Sequence, residues 1–471
     1  MDIPKNCSLN ILPAAIPSNT IRDVVGNALY ASGGTLLIRA LSVIGYAITI
    51  QRLTLHDFGV VTLVLSFLAP AGAIVFFGFE QQFTSSVAAA RGEQNIARLK
   101  GLTREFYIVV GALLIGFCAA AYFGRTIIAR YYDVYLFQYF GVALFLAAVQ
   151  IVLNGIQGFL HGYEKFKSLV RVQVTETAVR NILIILLIAR LDIGMVLLIH
   201  GIAKLSGIGM GLWRALPSVV DLWRMPERPE RRVLVGIIRK YGKWEIARFF
   251  FAQLLSPLQV WIVKVFVSTE GVAIFDFARR VYSFAHALFD VKGILFPLIS
   301  RTIRQKRASE RLVLKIKKYM LLYYAIVYVV MLAMLPVATR LLFPKYYPEI
   351  TVAYLALLHL FIEGYKLGQA AFLYGLRLQK FQFAVLPVGV ALQITLDISF
   401  VMILGVSGMM LSWHIQALIM GVLTDRYLAT RHGVHLWDFG AMIRFDAYDE
   451  RALRYLKRRF ARFPIIRRLL K

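Results

Sequence analysis

Apolar residues occur in long runs along this chain, and short polar segments separate the runs. A helix that crosses a bilayer needs about 20 mostly apolar residues, whereas strands of a membrane barrel show shorter stretches of alternating polarity. The runs here are continuous, so we predict an all-α, polytopic membrane protein. Its twelve predicted transmembrane helices cover residues 27–50, 58–79, 105–123, 135–160, 172–189, 194–216, 244–267, 272–297, 319–339, 352–376, 383–404 and 408–424.

Composition supports the same class. The 471 residues are 59% hydrophobic and 17% charged, with a mean hydropathy of +0.66. Soluble domains are about 45–50% apolar and about 25% charged, so a soluble enzyme, a disordered scaffold and a disulfide-rich secreted module are excluded. Residues 1–26 lack a continuous apolar core, and we expect no cleaved signal peptide. The two cysteines, Cys7 and Cys118, support neither a disulfide framework nor a metal site.

The basic residues predict the orientation. The net charge is +28, and 38 of the 54 Lys and Arg residues fall on the side of the membrane that the termini share. Basic residues beside helix ends mark the cytoplasmic side, so we expect both termini there, in the plasma (inner) membrane. Because the membrane orientation explains this excess of basic residues, we expect no nucleic-acid partner. Residues 425–471 form a basic tail that we expect to lie on anionic membrane lipids.

The two halves of the chain contain matching segments. Gly194–His200 matches Gly408–His414 at a shift of 214, and Arg130–Asp133 matches Lys345–Tyr347 at 215. Six helices per half give both halves the same orientation, which predicts two parallel lobes with a cavity between them. A bundle of channel or enzyme type with coincidental matches is the alternative. The predicted units are an N-terminal segment (1–26), an N-lobe (27–216), a linker (217–240), a C-lobe (241–424) and the basic tail (425–471).

Sixteen charged residues lie beyond the first residue of a predicted span, where each costs a few kcal/mol unless it faces a cavity or a partner. The basic ones are Arg39, Arg180, Lys204, Arg214, Arg248, Lys264, Arg279, Arg280, Lys292 and Lys366. The acidic ones are Glu176, Glu245, Asp276, Asp290, Glu363 and Asp397. Helical spacing predicts local ion pairs for Glu176–Arg180, Asp276–Arg280, Glu245–Arg248 and Glu363–Lys366.

Some of these charges are candidates for function. Arg39 lies near the middle of its span without an acidic residue one turn away, and Lys204 follows His200 by one turn. His359, Glu363 and Lys366 share one helical face, which suits charge relay or substrate contact. Asp397 lacks a local partner. We therefore predict Glu363 and Asp397 as sites that couple transport to a cation or proton.

The motif inventory does not favour an enzyme. The sequence has no phosphate-binding loop of the G-x-x-x-x-G-K-[ST] form and no cluster with metal-ligand spacing. The longest predicted loop on the outer side is about a dozen residues, which is short for a membrane glycosyltransferase. We predict no catalytic residue, cofactor or metal.

Several segments resemble one transporter superfamily. They are Asp57–Gly59 and Glu270–Gly271 after the first helix of each half, Gly271–Arg280 leading to Phe296–Ser300, and Leu342–Tyr347. These resemble the multidrug/oligosaccharidyl-lipid/polysaccharide (MOP) exporters, which include the MATE transporters, and within them the Wzx-type polysaccharide or O-antigen flippases. Twelve helices, in place of the fourteen usual in lipid II flippases, argue against a peptidoglycan precursor as cargo.

The resemblance implies a cavity lined by helices one, two, seven and eight. That placement brings Arg39, Arg248, Arg279 and Arg280 to the inter-lobe surface, where guanidinium groups suit phosphate. With Lys204 and Lys366, these residues form the predicted substrate-binding set. The function implied is flipping of a polyprenyl-diphosphate-linked oligosaccharide, with polysaccharide polymerase and chain-length machinery as partners. The alternatives are a MATE-like, cation-coupled drug or metabolite antiporter and a non-transporting assembly scaffold.

Overall fold

The computed structural model is helical throughout the part of the chain that it describes. It describes residues 38–76, 79–132, 138–237, 251, 257–287, 306–376, 378–438, 440, 442, 444–445 and 449–450. Seven of its helical segments are long and apolar enough to cross a membrane, which confirms a multi-pass membrane protein.

The N-lobe consists of the helices that precede the linker. They are α1 (38–52), α2 (Leu55–Ser66), α3 (Leu68–Phe76), α4 (Phe79–Gly92), α5 (Ile96–Tyr132), α6 (Phe140–Gly162), α7 (Phe166–Leu186) and α8 (Ile193–Arg224). Most are amphipathic or apolar segments packed around one core, in which the rings of Phe83 and Phe106 stack at 3.8 Å. A short helix, α9 (Val233–Ile237), follows in the linker.

The C-lobe consists of the helices after the linker. They are α10 (Pro257–Phe266), α11 (Thr269–Ala287), α12 (Lys306–Leu342), α13 (Ile350–Lys366), α14 (Gln369–Gly375) and α15 (Gln379–His432). A 3₁₀ turn, Pro344–Glu349, joins α12 to α13. The second hydrophobic core is shared: it contains Phe58 and Val61 of α2 together with Phe275 and Ala278 of α11. The two lobes are therefore packed together along α2 and α11.

The two last spans form a hairpin inside α15. Gly405 has φ +58° and ψ −137°, a conformation that favours glycine, and a Cβ at Gly408 would lie 2.0 Å from the carbonyl oxygen of Phe400. The segments before and after Gly405 run antiparallel, because Phe381 stacks on Tyr427 at 3.7 Å. This break confirms the predicted separation of the runs 383–404 and 408–424.

Helix caps repeat between the lobes. Thr54 accepts a hydrogen bond from the amide of Asp57 at 3.1 Å, and Ser268 accepts one from Gly271 at 3.0 Å. Each side chain satisfies a backbone donor at a helix start, and the two capping residues are 214 positions apart. This shift equals that of the clearest sequence match. We call the end of the molecule that carries these caps the Thr54 face.

Lysines of α5 and α12 hold the return segments at the opposite end, the Lys100 face. Lys100 is 3% exposed and donates to the carbonyls of Met225 and Glu227 in the linker. In the C-lobe, Lys317 donates to the carbonyl of Leu436 at 2.6 Å, and Lys315 donates to Asp449 at 2.7 Å. In each lobe, the segment that follows the sixth transmembrane helix is thus fixed to the third transmembrane helix, which is α5 in the N-lobe and α12 in the C-lobe.

Candidate functional site

A cavity of about 220 Å³ lies between the lobes, where α2 meets α10 and α11. Its polar lining comes from two hydroxyl side chains on α2 and three charged side chains on α11. These residues are Thr62, Ser66, Asp276, Arg279 and Arg280. Arg279 and Arg280 follow Asp276 by three and four residues, so one face of α11 presents all three to the cavity.

Asp276 is the buried anion of this cavity, only 1% exposed. It accepts a hydrogen bond from Arg280 Nε at 2.7 Å, and Arg279 Nη2 lies 3.4 Å from its other oxygen. The Arg280 guanidinium also lies over the ring of Tyr46, 4.4 Å from its centroid. Two guanidinium groups share this carboxylate, so one positive charge remains in excess within this group of three described residues. Both arginines keep an exposed fraction that a ligand can reach: 32% for Arg279 and 49% for Arg280.

The N-lobe contributes a second charged group. Lys204 on α8 is 8% exposed, donates to the side-chain oxygen of Gln150 and lies 3.3 Å from Glu176 Oε1. The Glu176–Arg180 ion pair that the spacing predicted is replaced by this contact between helices. Arg180 instead donates from Nη2 to Ser42 Oγ at 3.1 Å.

These two groups form one positive region, which we call the basic cluster. Its members are Arg180, Lys204, Arg279 and Arg280 with the carboxylates Glu176 and Asp276. Arg180 and Arg280 repel each other, and the charges of Arg180, Lys204 and Arg280 all act on His200. Among the described residues, four cations against two carboxylates leave two positive charges in excess, an arrangement suited to an anion.

The structure separates the predicted substrate-binding residues. Arg279 and Arg280 line the cavity, and Lys204 belongs to the basic cluster. Lys366 lies in the C-lobe, 4.0 Å from Glu363, which confirms that predicted pair. Arg39 is partly buried on α1. Arg248, and with it the predicted Glu245–Arg248 pair, lies outside the described residues.

The position of Arg180 in the basic cluster was not predicted from the sequence. Its spacing from Glu176 suggested a local ion pair, and nothing in the sequence showed that Lys204, 28 residues later, takes that carboxylate. The feature of the sequence that pointed to this positive region was the excess of basic over acidic residues within the predicted spans.

Asp397 lies in a buried polar cluster of the C-lobe hairpin. It is 0% exposed, and its Oδ1 accepts hydrogen bonds from Gln393 at 2.5 Å and from Ser412 across the hairpin. Its Oδ2 is buried and has no hydrogen-bond partner among the residues that the structure describes. Such an oxygen can accept a proton or a cation. The predicted coupling residue thus faces a neutral polar environment.

The histidine cluster, His359, Glu363, Lys366 and His414, lies between α13 and the second half of α15. His359 Nδ1 is 3.2 Å from His414 Nδ1, and His359 Nε2 is 3.7 Å from Glu363 Oε1. The His359 ring stacks on Trp413 at 3.8 Å. This cluster places the second predicted coupling residue, Glu363, beside two titratable rings.

The lobes are joined at the Thr54 face. His56 Nδ1 lies 2.9 Å from Glu270 Oε1, and Lys345 donates to the carbonyl oxygens of Gln51 at 3.2 Å and Leu53 at 2.8 Å. The backbones also approach closely, since a Cβ at Gly59 would lie 2.1 Å from the carbonyl oxygen of Thr269. These contacts close the cavity toward the Thr54 face.

Comparison with known proteins shows a transporter fold. No family model matches the chain, and none of the curated proteins matches it. Among solved structures, the inward-facing conformation of a multidrug resistance MATE transporter of the MOP superfamily aligns with a TM-score of 0.69 at 14% identity, covering 83% of this chain and 94% of that one. An outward-facing MATE transporter aligns with a TM-score of 0.60 at 15% identity, covering 86% and 95%.

A third structure is a MOP superfamily transporter from Pyrococcus furiosus, described by a reverse polarity of its binding pocket that suggests a different function. It is 13% identical, and the alignment covers 89% of this chain and 96% of that one. The predicted MOP/MATE-like fold is therefore confirmed. All three neighbours are transporters, which agrees with the prediction of a non-enzymatic membrane protein.

Proposed function

We propose that this protein flips a polyprenyl-diphosphate-linked oligosaccharide across the plasma membrane for cell-surface polysaccharide synthesis. The observation that carries the proposal is the basic cluster, in which Arg279 and Arg280 share Asp276 and keep a positive excess beside an inter-lobe cavity. Arginine binds phosphate oxygens in pairs through its planar fork of donors. A diphosphate is the part of such a cargo that hydrocarbon excludes most strongly.

Alternating access supplies the movement. The contacts of His56 and Lys345 close one end, and the higher TM-score with an inward-facing transporter supports a cavity that opens toward the Lys100 face. The basic residues of the linker and tail support a cytoplasmic Lys100 face, with both termini on that side. The headgroup would enter from there while the polyprenyl chain stays in membrane lipid. Polysaccharide polymerase and chain-length proteins are the expected partners.

A MATE-like, cation-coupled antiporter of drugs or metabolites is the second candidate. The observation that favours it is the pair of C-lobe carboxylates, Asp397 and Glu363, which are 0% and 13% exposed. Both candidates use a coupling cation. They differ in the charge of the cargo, and the basic cluster favours an anion.

Reconstitution tests the proposal. In proteoliposomes with a defined polyprenyl-diphosphate oligosaccharide, we expect flipping by the wild type and a loss of about 10- to 100-fold in Arg280→Gln, since hydrogen bonds to charged groups contribute about 1.5–3 kcal/mol. Arg280→Lys keeps the charge without the planar fork and should retain an intermediate rate. Arg171→Gln removes an exposed charge of α7 and should flip at the wild-type rate.

Two outcomes would replace the proposal. Transport of a cationic drug against its gradient, with the glycolipid unmoved, would establish the antiporter. If the purified protein moves neither compound, although it is folded, a scaffold for polysaccharide assembly becomes the better account.

A further inference from the structure

The hydrogen bonds of the histidine cluster determine how many protons it holds. His414 Nε2 lies 2.7 Å from the carbonyl oxygen of Leu355. A carbonyl oxygen only accepts, so Nε2 of His414 carries a hydrogen. The two Nδ1 atoms of His414 and His359 are 3.2 Å apart, and one hydrogen must lie between them because two bare ring nitrogens repel.

A third proton would stabilise the remaining contact. If His359 is neutral and donates through Nδ1, its Nε2 is bare and faces Glu363 Oε1 at 3.7 Å. At 3.7 Å these two acceptors are beyond hydrogen-bond distance, so the contact is electrostatic, and a third proton on the ring makes it attractive. If His359 instead donates to Glu363, His414 must be the imidazolium. The second arrangement contains three protons, as does the first once the third proton is added, one more than two neutral histidines and an ionised glutamate hold.

Charges around the cluster allow that proton to leave. Lys366 lies 4.0 Å from Glu363 and stabilises the ionised carboxylate. Among the residues that the structure describes, Tyr282 and His286 on α11 and Tyr324 on α12 are further titratable groups that face the cluster. His359 is 2% exposed, so the proton is held in a site where water does not compete for each hydrogen bond.

We propose that the histidine cluster is a proton-binding site, which takes up one proton between His359, His414 and Glu363 and makes H⁺ the ion coupled to transport. The proposal rests on the proposed function only for the coupling. Uptake adds a proton to the His359 Nε2–Glu363 contact or to the Nδ1–Nδ1 contact, and release returns it to water. The net charge of the three groups changes from −1 to zero.

One helix connects this site to the inter-lobe cavity. The ring of Tyr282 on α11 meets His359 edge-on at 5.4 Å and Trp413 at 5.0 Å. Arg279, which lines the cavity, precedes Tyr282 by three residues, about 4.5 Å along the helix. A change of packing between His359 and Trp413 therefore reaches the basic cluster through a single element.

Histidine-selective ¹⁵N NMR of the purified full-length protein tests the site without any cargo. The chain has eight histidines, and His359→Gln and His414→Gln assign the two signals. We expect both rings to titrate in one common step, with Nε2 of His414 protonated throughout. Glu363→Gln should lower the midpoint by about one to three pH units, the effect of losing an opposite charge at this distance. Glu363→Asp should restore part of the shift.

Controls separate this outcome from damage to the fold. His161→Gln removes an exposed histidine of α6 and should leave the common step in place, and thermal unfolding checks each variant. Three results would overturn the proposal. They are independent titration of the two rings, an unchanged midpoint in Glu363→Gln, and a midpoint that moves when Na⁺ replaces choline at constant ionic strength. A common step in a protein that flips no glycolipid would instead contradict the proposed function alone.

Discussion

Two histidines at equivalent positions of the repeat have opposite surroundings. His200 on α8 and His414 on α15 are 214 residues apart, and each follows a matching glycine by six positions. Arg180, Lys204 and Arg280 surround His200 with positive charge. His414 contacts a second histidine, His359, which in turn faces Glu363. Equivalent positions of the fold thus lie in different environments: the one in the N-lobe attracts anions, and the one in the C-lobe holds protons.

The charged residues around these histidines are not repeated. At the shift of 214, Lys204 corresponds to Leu418. At shifts of 214 and 215, Glu363 falls on Val149 and Ala148. Helix caps, in contrast, recur at Thr54 and Ser268. The helix caps are therefore shared between the lobes, whereas the charges around the two histidines belong to one lobe each.

Removing the buried anion of the basic cluster should give the largest effect. Asp276→Asn leaves Arg279 and Arg280 without their carboxylate, and loss of one partner from a buried pair costs about 3–5 kcal/mol. The two arginines are partly exposed, so we expect a value near about 3 kcal/mol, measured as a lower thermal unfolding midpoint.

The matched control is Asp221→Asn, which removes an exposed carboxylate of α8 and should leave the midpoint unchanged. The same Asp276→Asn variant should bind inorganic diphosphate more tightly, because the positive excess grows by one. An unchanged midpoint together with unchanged diphosphate binding would mean that Asp276 does not organise the cavity.

Exchanging each histidine for glutamine tests the comparison directly. We expect His414→Gln to abolish the pH dependence of transport, which for one coupled proton amounts to at most about tenfold per pH unit. His200→Gln should change the apparent affinity for an anionic cargo and keep the pH dependence. The measurement is the initial flipping rate in proteoliposomes between pH 6 and 8. Loss of pH dependence in both variants would show that the lobes are not specialised in this way.

The architecture was predictable because it depends on patterns that the chain displays locally. Apolar run length indicated the spans, and the gap between the last two runs coincides with Gly405. The ion pairs Asp276–Arg280 and Glu363–Lys366 followed from helical spacing. Each of these features lies within one helix or one turn.

The sites were less predictable because they depend on contacts between helices. Nothing in the sequence indicated that Glu176 would pair with Lys204, or that Ser412 would donate a hydrogen bond to Asp397 across the hairpin. The same holds for His359 and His414, which are 55 residues apart. Their rings meet only because α13 packs against the second half of α15.

The smallest expected effect concerns a contact that lies on the axis relating the two lobes. His56 and Glu270 occupy equivalent positions, 214 residues apart, and touch each other at the Thr54 face. Glu270 precedes the span predicted over 272–297. The pKa of its carboxyl lies below the ordinary value of 4.5, because its own backbone amide and the His56 side chain donate to it.

A lowered pKa means that the ionised carboxylate stabilises the closed Thr54 face above about pH 4.5, and that this contribution is lost as the pH falls through the folded-state pKa. The two side chains are 38% and 46% exposed, so solvent screening limits the contact to less than about 1 kcal/mol. Glu270→Gln should therefore shift the population of the closed state by about two- to fivefold, measured at neutral pH by distances between spin labels on α2 and α11. Glu349→Gln, on the 3₁₀ turn before α13, is the control that should leave the distances unchanged. If the Glu270→Gln protein stays as closed as the wild type, the His56–Glu270 pair does not stabilise the closed state. The closure would then depend on Lys345 and on the packing of Gly59 against Thr269.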